Sequence, residues 1–284
     1  MPGDIVPMER PEVSATAGAS TRYRLDDLRR LTASLAAGLG MDPARASALV
    51  THLLWFDAAG ASSHGIASLP AWLDRISRRE IDPVAEGRVR LEHSGTAVFD
   101  AGNGLPPLAL ERAAGIASEK ARELGLGIVR VENVGRTGPA APIVAGLAIG
   151  PFVAAIAGPG GSIAVAMPMP EGLPAVYDSA LEGEFRSQMG DAWSPWISAF
   201  TGGDGWAILA LAVPAMEPLT SFQDRVGQLF RDAAAGRGRL LPGRWEAHRI
   251  EARERGVSVD EASAAALRGW ADRLNVAWPA SIGG

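Results

Sequence analysis

The stretch that decides the fold is DAAGASSHGIASLP, residues 57–70, in which small residues and a Ser-His-Gly triplet separate two segments of helical periodicity. Upstream, Asp42-Pro43 offers an N-cap followed by proline at the first helical position. The helix predicted after it carries an apolar stripe at Ala46, Leu49, Val50, Leu53 and Leu54. Downstream, residues 68–78 predict a third, short helix. The stretch therefore joins the second and third predicted helices, and it contains His64.

Working outward, the periodicity of the chain changes twice. Leucines at helical spacing predict a first helix over residues 25–40, and alternation with turn residues predicts a hairpin over 89–104. A helix over 106–124, a strand over 126–133 and a helix over 138–148 follow, then short apolar runs typical of buried strands at 152–158, 162–168 and 174–178. The last third predicts helices at 205–217, 220–235, 242–255 and 260–274. This order predicts an α/β fold of the α+β type, with helical N- and C-terminal parts around a central mixed sheet.

Three parts of the chain are distinguished. Residues 1–21, rich in Pro, Ala, Ser, Thr and Gly, predict a flexible N-terminal arm. Residues 22–118 together with 205–284 predict a helical domain that binds the substrate, and residues 119–204 predict a sheet domain.

Composition excludes several classes of function. The net charge of −5 offers no basic surface for nucleic acid or an anionic membrane, and the absence of cysteine excludes disulfides and thiolate metal sites. His52, His93 and His248 lack metal-ligand spacing, so no metal is predicted. The N-terminus lacks the pattern of a secretory signal, and no apolar run is long enough to span a bilayer. We expect a cytoplasmic protein.

Four stretches in register resemble the malate/L-lactate dehydrogenase family, the kind without a Rossmann fold. Residues 57–70 resemble its Asp-x-Arg-Gly-x-x-Ser-His-Gly-x-x-Arg-x-Pro signature, and residues 131–138 (VENVGRTG) lie at its Asn-Ser-x-His-x-Gly stretch. Residues 202–211 (GGDGWAILAL) resemble Gly-Gly-x-Lys-Gly-x-x-Leu-Ala, and residues 241–246 with Gly256-Val257-Ser258-Val259 resemble the C-terminal Leu-Pro-Gly-Glu helix and its tail. The resemblance implies common ancestry and fold, whereas function must be argued from the site.

The resemblance implies a site that is partly altered. His64 lies at the position of the catalytic histidine, inside an intact Ser63-His64-Gly65. The arginine that holds the substrate carboxylate is replaced by Ser68, and the second histidine of the family site by Arg136. The lysine by cofactor and substrate aligns with Asp204, a reversal of charge, and Asn133 is expected in the substrate pocket. Three of these residues have a structural alternative that stays open. His64 could be a hydrogen-bonded core histidine, Arg136 a solvated loop residue, and Asp204 a helix cap.

Between Asp178 and Gly202, the chain is shorter than the resemblance implies for the segment that helps wrap the cofactor. It carries Trp193 and Trp196, with Trp206 just after, and we predict that these indoles fill or reshape the cofactor pocket. The Asp178, Glu182 and Glu184 run is predicted to be a solvated face.

The leading functional hypothesis is an enzyme without a nicotinamide cofactor. It would use His64 as general acid/base and Arg136 as anion partner for a cyclisation, elimination, isomerisation or hydrolysis in a specialised biosynthetic pathway. The alternatives are an NAD- or NADP-dependent reductase of a 2-keto or cyclic imino acid, and a non-catalytic binding subunit. Family resemblance implies a homodimer acting on a small molecule.

Overall fold

The computed structural model describes residues 20–135, 138–170, 173–181, 198–201, 204–233 and 242–282, without the side chains of 231–233 and 242–247. Arg136, Thr137, Trp193, Trp196 and most of the predicted N-terminal arm lie outside these ranges. Ser20–Tyr23, at the end of that arm, form strand β1.

The N-terminal half begins with helices α1 (Leu25–Gly38) and α2 (Pro43–Ala58), followed by two short 3-10 turns, Ser62–His64 and Ile66–Ser68, and helix α3 (Leu69–Ser77). Asp42 caps α2 as its sequence predicts, because its carboxylate accepts from the backbone nitrogens of Ala44 and Arg45 at 2.9 and 3.0 Å. The hairpin β2 (Arg88–Glu92) and β3 (Thr96–Asp100), helix α4 (Pro106–Leu124) and strand β4 (Leu126–Glu132) come next.

The remaining elements build the sheet and return to helices. Helix α5 (Ala141–Ile149) precedes strands β5 (Phe152–Gly158), β6 (Ser162–Met167) and β7 (Ala175–Asp178). Strand β8 (Trp206–Ala212) is followed by α6 (Leu219–Ala233), α7 (Pro242–Arg255), β9 (Val257–Asp260) and α8 (Glu261–Leu274).

Seven strands form one mixed sheet in the order β2-β3-β4-β8-β5-β6-β7, and β1 pairs with β9 in a separate two-stranded ribbon. Only β3 and β4 run parallel among the paired strands described; the other pairs are antiparallel. Helices α4 and α5 contribute to the apolar core of the sheet, whereas α1, α2, α3, α8 and β9 share a second core. The fold is the predicted α+β arrangement of helices and a central mixed sheet.

The predicted helix over 205–217 is wrong. Trp206–Ala212 form the central strand β8, paired with β4 on one side and β5 on the other, and a short 3-10 turn at Val213–Ala215 follows. A strand covered on both faces is apolar throughout, so its sequence lacks the alternation that distinguishes a strand from a buried helix.

The predicted division into domains stays a prediction. Strands β2, β3 and β8 lie outside the predicted sheet segment of 119–204, yet they belong to the same sheet. No helix in the described ranges has the length and apolar character needed to cross a membrane.

Candidate active site

The Ser-His-Gly triplet occupies a tight 3-10 turn at the end of α2. The His64 backbone nitrogen donates to the Ala61 carbonyl at 2.9 Å, and the Gly65 nitrogen donates to the Ser62 carbonyl at 3.0 Å. The His64 ring is half-buried and lies 5.9 Å from the ring of Phe56, centroid to centroid. Burial lowers the pKa of His64, because the charged imidazolium is poorly solvated there.

Asp57 stabilises this turn through a hydrogen bond to its backbone. Its Oδ2 accepts from the backbone nitrogen of Ile66 at 2.9 Å, and its side chain is buried, with the residue 6% exposed. The other oxygen, Oδ1, is buried and accepts no hydrogen bond from any residue in the described ranges. Burial raises the pKa of Asp57 to about 7, partly offset by the Ile66 hydrogen bond. A Cβ at Gly65 would lie 2.3 Å from Oδ1, so glycine is required for this close approach.

The second family-like stretch is brought to the same histidine. Asn133 begins the loop after β4 with a φ of 51°, and its Nδ2 donates to Asp100 Oδ1 at 2.8 Å. At the far end of the loop, a Cβ built on Gly138 would lie 3.5 Å from His64 Nδ1. Arg136 itself lies outside the described residues, but the glycine two positions later is in contact distance of His64.

The third family-like stretch leads into β8 at the edge of the sheet where β4 ends. Strand β8 begins here with Trp206 opposite Val131 of β4, while antiparallel β5 ends here at Gly158. The Trp206 indole is 3% exposed and packs on Gly158, where a Cβ would lie 2.3 Å from the ring. Trp206 Nε1 and Thr201 Oγ1 are buried and have no hydrogen-bond partner among the described residues. This edge therefore holds two polar groups whose hydrogen-bonding capacity is unused.

Asp178 fixes the entry to α5, a role that its sequence did not predict. The residue is 2% exposed, and its Oδ2 accepts from the backbone nitrogens of Ala140 and Ala141 at 2.7 and 2.8 Å. The predicted solvated face is thus wrong for Asp178; Glu182 and Glu184 lie outside the described residues. A carboxylate on two amide nitrogens at a helix N-terminus is favourable, and it anchors the chain just after Gly138.

The other predicted site residues lie as follows. Ser63 is exposed, and Ser68 Oγ donates to the Gly65 carbonyl at 2.7 Å, within its own turn. Asp204 is exposed and precedes strand β8, so the interpretation of Asp204 as a helix cap is wrong. Trp193 and Trp196 lie outside the described residues, which leaves their predicted place in the cofactor pocket a prediction.

A cation that the motifs did not include lies against the same loop. A Cβ at Gly135 would lie 2.8 Å from Arg75 Nη2, and the Arg75 guanidinium sits 5.2 Å from the centre of the Trp72 ring. Arg75 also approaches Glu80, with 3.8 Å between Nε and Oε2. It stands seven residues after Ser68 on the next helix, a position that the linear signature does not cover.

No group of three histidine or acidic side chains placed for a metal occurs within the part of the chain that the structure describes. Two titratable groups at the turn, His64 and Asp57, are both shifted toward their neutral forms. Such a site can donate or accept one proton at His64, next to the loop that ends at Gly138.

Comparison with known proteins gives consistent results. Residues 23–156 match the sequence profile described as malate/L-lactate dehydrogenase. Δ1-Pyrroline-2-carboxylate reductase 1 of Burkholderia ambifaria is 24% identical over 221 residues, which cover 70% of this chain and 62% of that reductase.

Two solved structures share the fold. Malate dehydrogenase from Pyrococcus horikoshii has a TM-score of 0.81 at 18% identity, covering 91% of this chain and 97% of that chain. Δ1-Piperideine-2-carboxylate reductase from Pseudomonas syringae has a TM-score of 0.73 at 20% identity, covering 88% and 99%. All three named proteins are dehydrogenases or reductases. The predicted nicotinamide-independent chemistry, and the biosynthetic role with it, find no support in these similarities, and the predicted reductase alternative fits them better. The homodimer stays a prediction.

Proposed function

We propose that this chain, whose residues 23–156 match the malate/L-lactate dehydrogenase profile, is a divergent NAD(P)H-dependent reductase of that family. Its substrate is a small carboxylic acid with a C=O or C=N bond next to the carboxylate, hence a 2-keto acid or a cyclic imino acid. The observation that carries the proposal is the approach of Gly138 to His64 Nδ1, 3.5 Å from a Cβ built at that glycine. This proximity supports a single site formed by the two family-like stretches.

His64 serves as the proton donor. Reduction adds a hydride to the carbon of the double bond and a proton to its oxygen or nitrogen, and His64 supplies that proton. Because burial lowers its pKa, the imidazolium is a stronger acid than an exposed histidine, but it is less populated at neutral pH. Reduction is therefore expected to be fastest in mildly acidic solution.

An arginine holds the substrate carboxylate. Ser68 cannot do so, because it is uncharged and its hydroxyl is engaged with the Gly65 carbonyl. Arg136 lies in the sequence between Gly135 and Gly138, and we assign it this role, since a guanidinium binds a carboxylate through two parallel hydrogen bonds. Arg75, against Gly135, is the second candidate.

The residues at the sheet edge fit a nicotinamide. Within the part of the chain that the structure describes, Trp206 Nε1 and Thr201 Oγ1 are buried polar atoms without hydrogen-bond partners, and a carboxamide would offer the acceptor and donor that they lack. Trp206 and Thr201 would hold the ring by that group, and Gly158 provides the close approach of the backbone beside them. When bound, the reduced nicotinamide supplies the hydride.

The test is turnover of the purified protein with NADH and with NADPH, followed by nicotinamide absorbance. Substrates are pyruvate, oxaloacetate, Δ1-pyrroline-2-carboxylate and Δ1-piperideine-2-carboxylate. His64→Gln should lose at least a hundredfold in kcat while cofactor binding by calorimetry is unchanged. His93→Gln, which changes an exposed histidine of the hairpin, is the matched control and should keep full activity.

Two further readouts separate the assigned roles. Arg136→Gln should raise KM for the acid with little change in cofactor affinity. The kcat/KM of reduction should fall as pH rises through the lowered pKa of His64. The proposal is wrong if neither nicotinamide binds at millimolar concentration, or if His64→Gln turns over as fast as the parent.

A further inference from the structure

A groove runs along helix α2. It consists of two adjoining cavities of about 410 and 250 Å³ that share Thr51, Trp55 and Ile149. Sites for small organic ligands have volumes of about 300–1,000 Å³, with mostly apolar walls and a few polar groups. The groove has this size and this mixture of walls.

The larger cavity is an apolar chamber with two titratable groups. It lies between α2, α4 and α5, and its apolar walls include Ala48, Ala114, Pro142, Ile143 and Leu147. Its polar lining residues are Thr51, His52 and Glu111, of which His52 and Glu111 are titratable. Burial lowers the pKa of His52 to about 4 and raises the pKa of Glu111. At neutral pH the His52 imidazole is therefore uncharged, and this chamber suits the apolar body of a ligand.

The smaller cavity is cationic. Arg29 of α1 and Arg249 and Arg253 of α7 line it around Trp55, and no acidic side chain is among its described lining residues. Arg29 and Arg253 are exposed. The exposed guanidinium groups of Arg29 and Arg253 meet no carboxylate among the described lining residues, and they create a local positive potential in a chain of net charge −5. Arginine beside an apolar, aromatic surface is suited to a carboxylate or phosphate.

We propose that this groove binds an amphipathic organic anion, a carboxylate or phosphate monoester on an apolar body. The anionic head lies among Arg29, Arg249 and Arg253, and the body passes Trp55 into the larger cavity. The inference does not depend on the proposed reductase activity, since none of these residues belongs to the site at His64.

The groove and the His64 site are separate but close. The buried ring of Phe56 packs against His52 at 5.4 Å and against His64 at 5.9 Å, centroid to centroid. Phe56 is also 5.3 Å from the ring of Trp55. The two sites are thus joined by one buried side chain, and a ligand in the groove contacts α2 on the residues next to that side chain.

The experiment measures displacement of anilinonaphthalene sulfonate, itself an aromatic anion, from the full chain by decyl compounds that differ only in their head group. Decanoate or decyl phosphate should displace it at least tenfold more tightly than decanol or decylamine, and the better of the two identifies the head group. The double variant Arg29→Gln/Arg253→Gln should weaken decanoate about tenfold, the loss expected when two exposed ion pairs are removed together.

Arg273→Gln is the matched control, because Arg273 is an exposed arginine 3.7 Å from the Trp270 ring and outside the groove. It should bind decanoate like the parent, and circular dichroism checks that each variant is folded. Equal binding of decanol and decanoate, or equal loss in the Arg273 control, overturns the proposal. So does competitive displacement of the probe by NADPH, which would make the groove part of the cofactor site. A second copy of the chain covering the groove also overturns it; probe binding would then fall as the sedimenting mass rises with concentration.

Discussion

Replacing Asp57 by asparagine should stabilise the protein at alkaline pH, although it removes a side chain that contacts the Ser-His-Gly turn. Asp57 has a folded pKa of about 7, against about 3.8 in an unfolded chain. The folded state therefore holds a proton that the unfolded state has released. The stability from Asp57 is complete below pH 3.8 and is lost as pH rises through the folded pKa.

The magnitude follows from the size of the shift. Three pKa units correspond to about 4 kcal/mol, so wild-type Asp57 destabilises the protein by about that amount above pH 7. Asparagine has the shape of the protonated acid and keeps an acceptor for the Ile66 nitrogen. Asp57→Asn should match the wild type near pH 4 and exceed it by about 4 kcal/mol at pH 8.

The assay is urea denaturation of both proteins at several pH values between 4 and 8.5, with the difference in unfolding free energy plotted against pH. Subtracting the wild type cancels the titration of other groups, His52 included. A difference that stays constant over this range would refute the reasoning, as would a variant that is less stable at pH 8. Such a result would mean that a group from solution binds Oδ1 and stabilises the charged form of Asp57 in the folded protein.

Three further outcomes are expected. The pKa of His52 is about 4 in the folded state and about 6.5 in the unfolded state. The stability that neutral His52 contributes is therefore complete above pH 6.5, and about 3 kcal/mol of the unfolding free energy is lost as pH falls to 4. The variant His52→Gln should not show this loss in urea denaturation. Asp178→Ala should cost about 3 kcal/mol, since two backbone nitrogens at the start of α5 lose a charged acceptor, and Asp178→Asn should cost less in the same measurement. Gly65→Ala should lower stability by about 2 kcal/mol, because its Cβ would meet the Asp57 carboxyl at 2.3–2.5 Å. Its control Gly146→Ala, with nothing within 4 Å, should raise Tm.

The sequence predicts those elements whose stability is local. Asp42 with Pro43 correctly marks the start of α2, and α4 over Pro106–Leu124 coincides with its predicted range. The strands at 126–132 and 152–158 are also confirmed. In each case a capping residue, helical periodicity or a short apolar run between turn residues predicts the element from the local sequence alone.

The wrong predictions concern residues whose structure is determined by contacts with residues far away in the sequence. Strand β8 has the apolar run of a buried helix, and its identity depends on pairing with β4 and β5. Asp178 belongs to an acidic run in the sequence, but its burial depends on the backbone nitrogens of Ala140 and Ala141, almost forty residues away. Neither contact leaves a local pattern.

The site is predicted in outline and not in detail. The resemblance selects His64 and the 131–138 stretch, and the structure brings Gly138 of that stretch to His64. The supporting carboxylate of Asp57 is inside the motif, yet its function depends on the fold of the turn around Gly65. Arg75 approaches the loop from a neighbouring helix, so only the packing of α3 reveals it.

The pairing of β1 with β9 has a consequence for the order in which the protein can fold during synthesis. Arg22 of β1 bonds the Gly256 carbonyl across 234 positions of sequence, and the core shared by α1, α2 and α8 cannot close before that part of the chain has left the ribosome. The core around the seven-stranded sheet draws on residues 56–212 and is complete earlier. During translation the sheet therefore forms before α1 and α2 can pack against β9 and α8. A nascent chain truncated before residue 257 should expose the Leu28 and Leu35 face of α1 to chaperones and proteases.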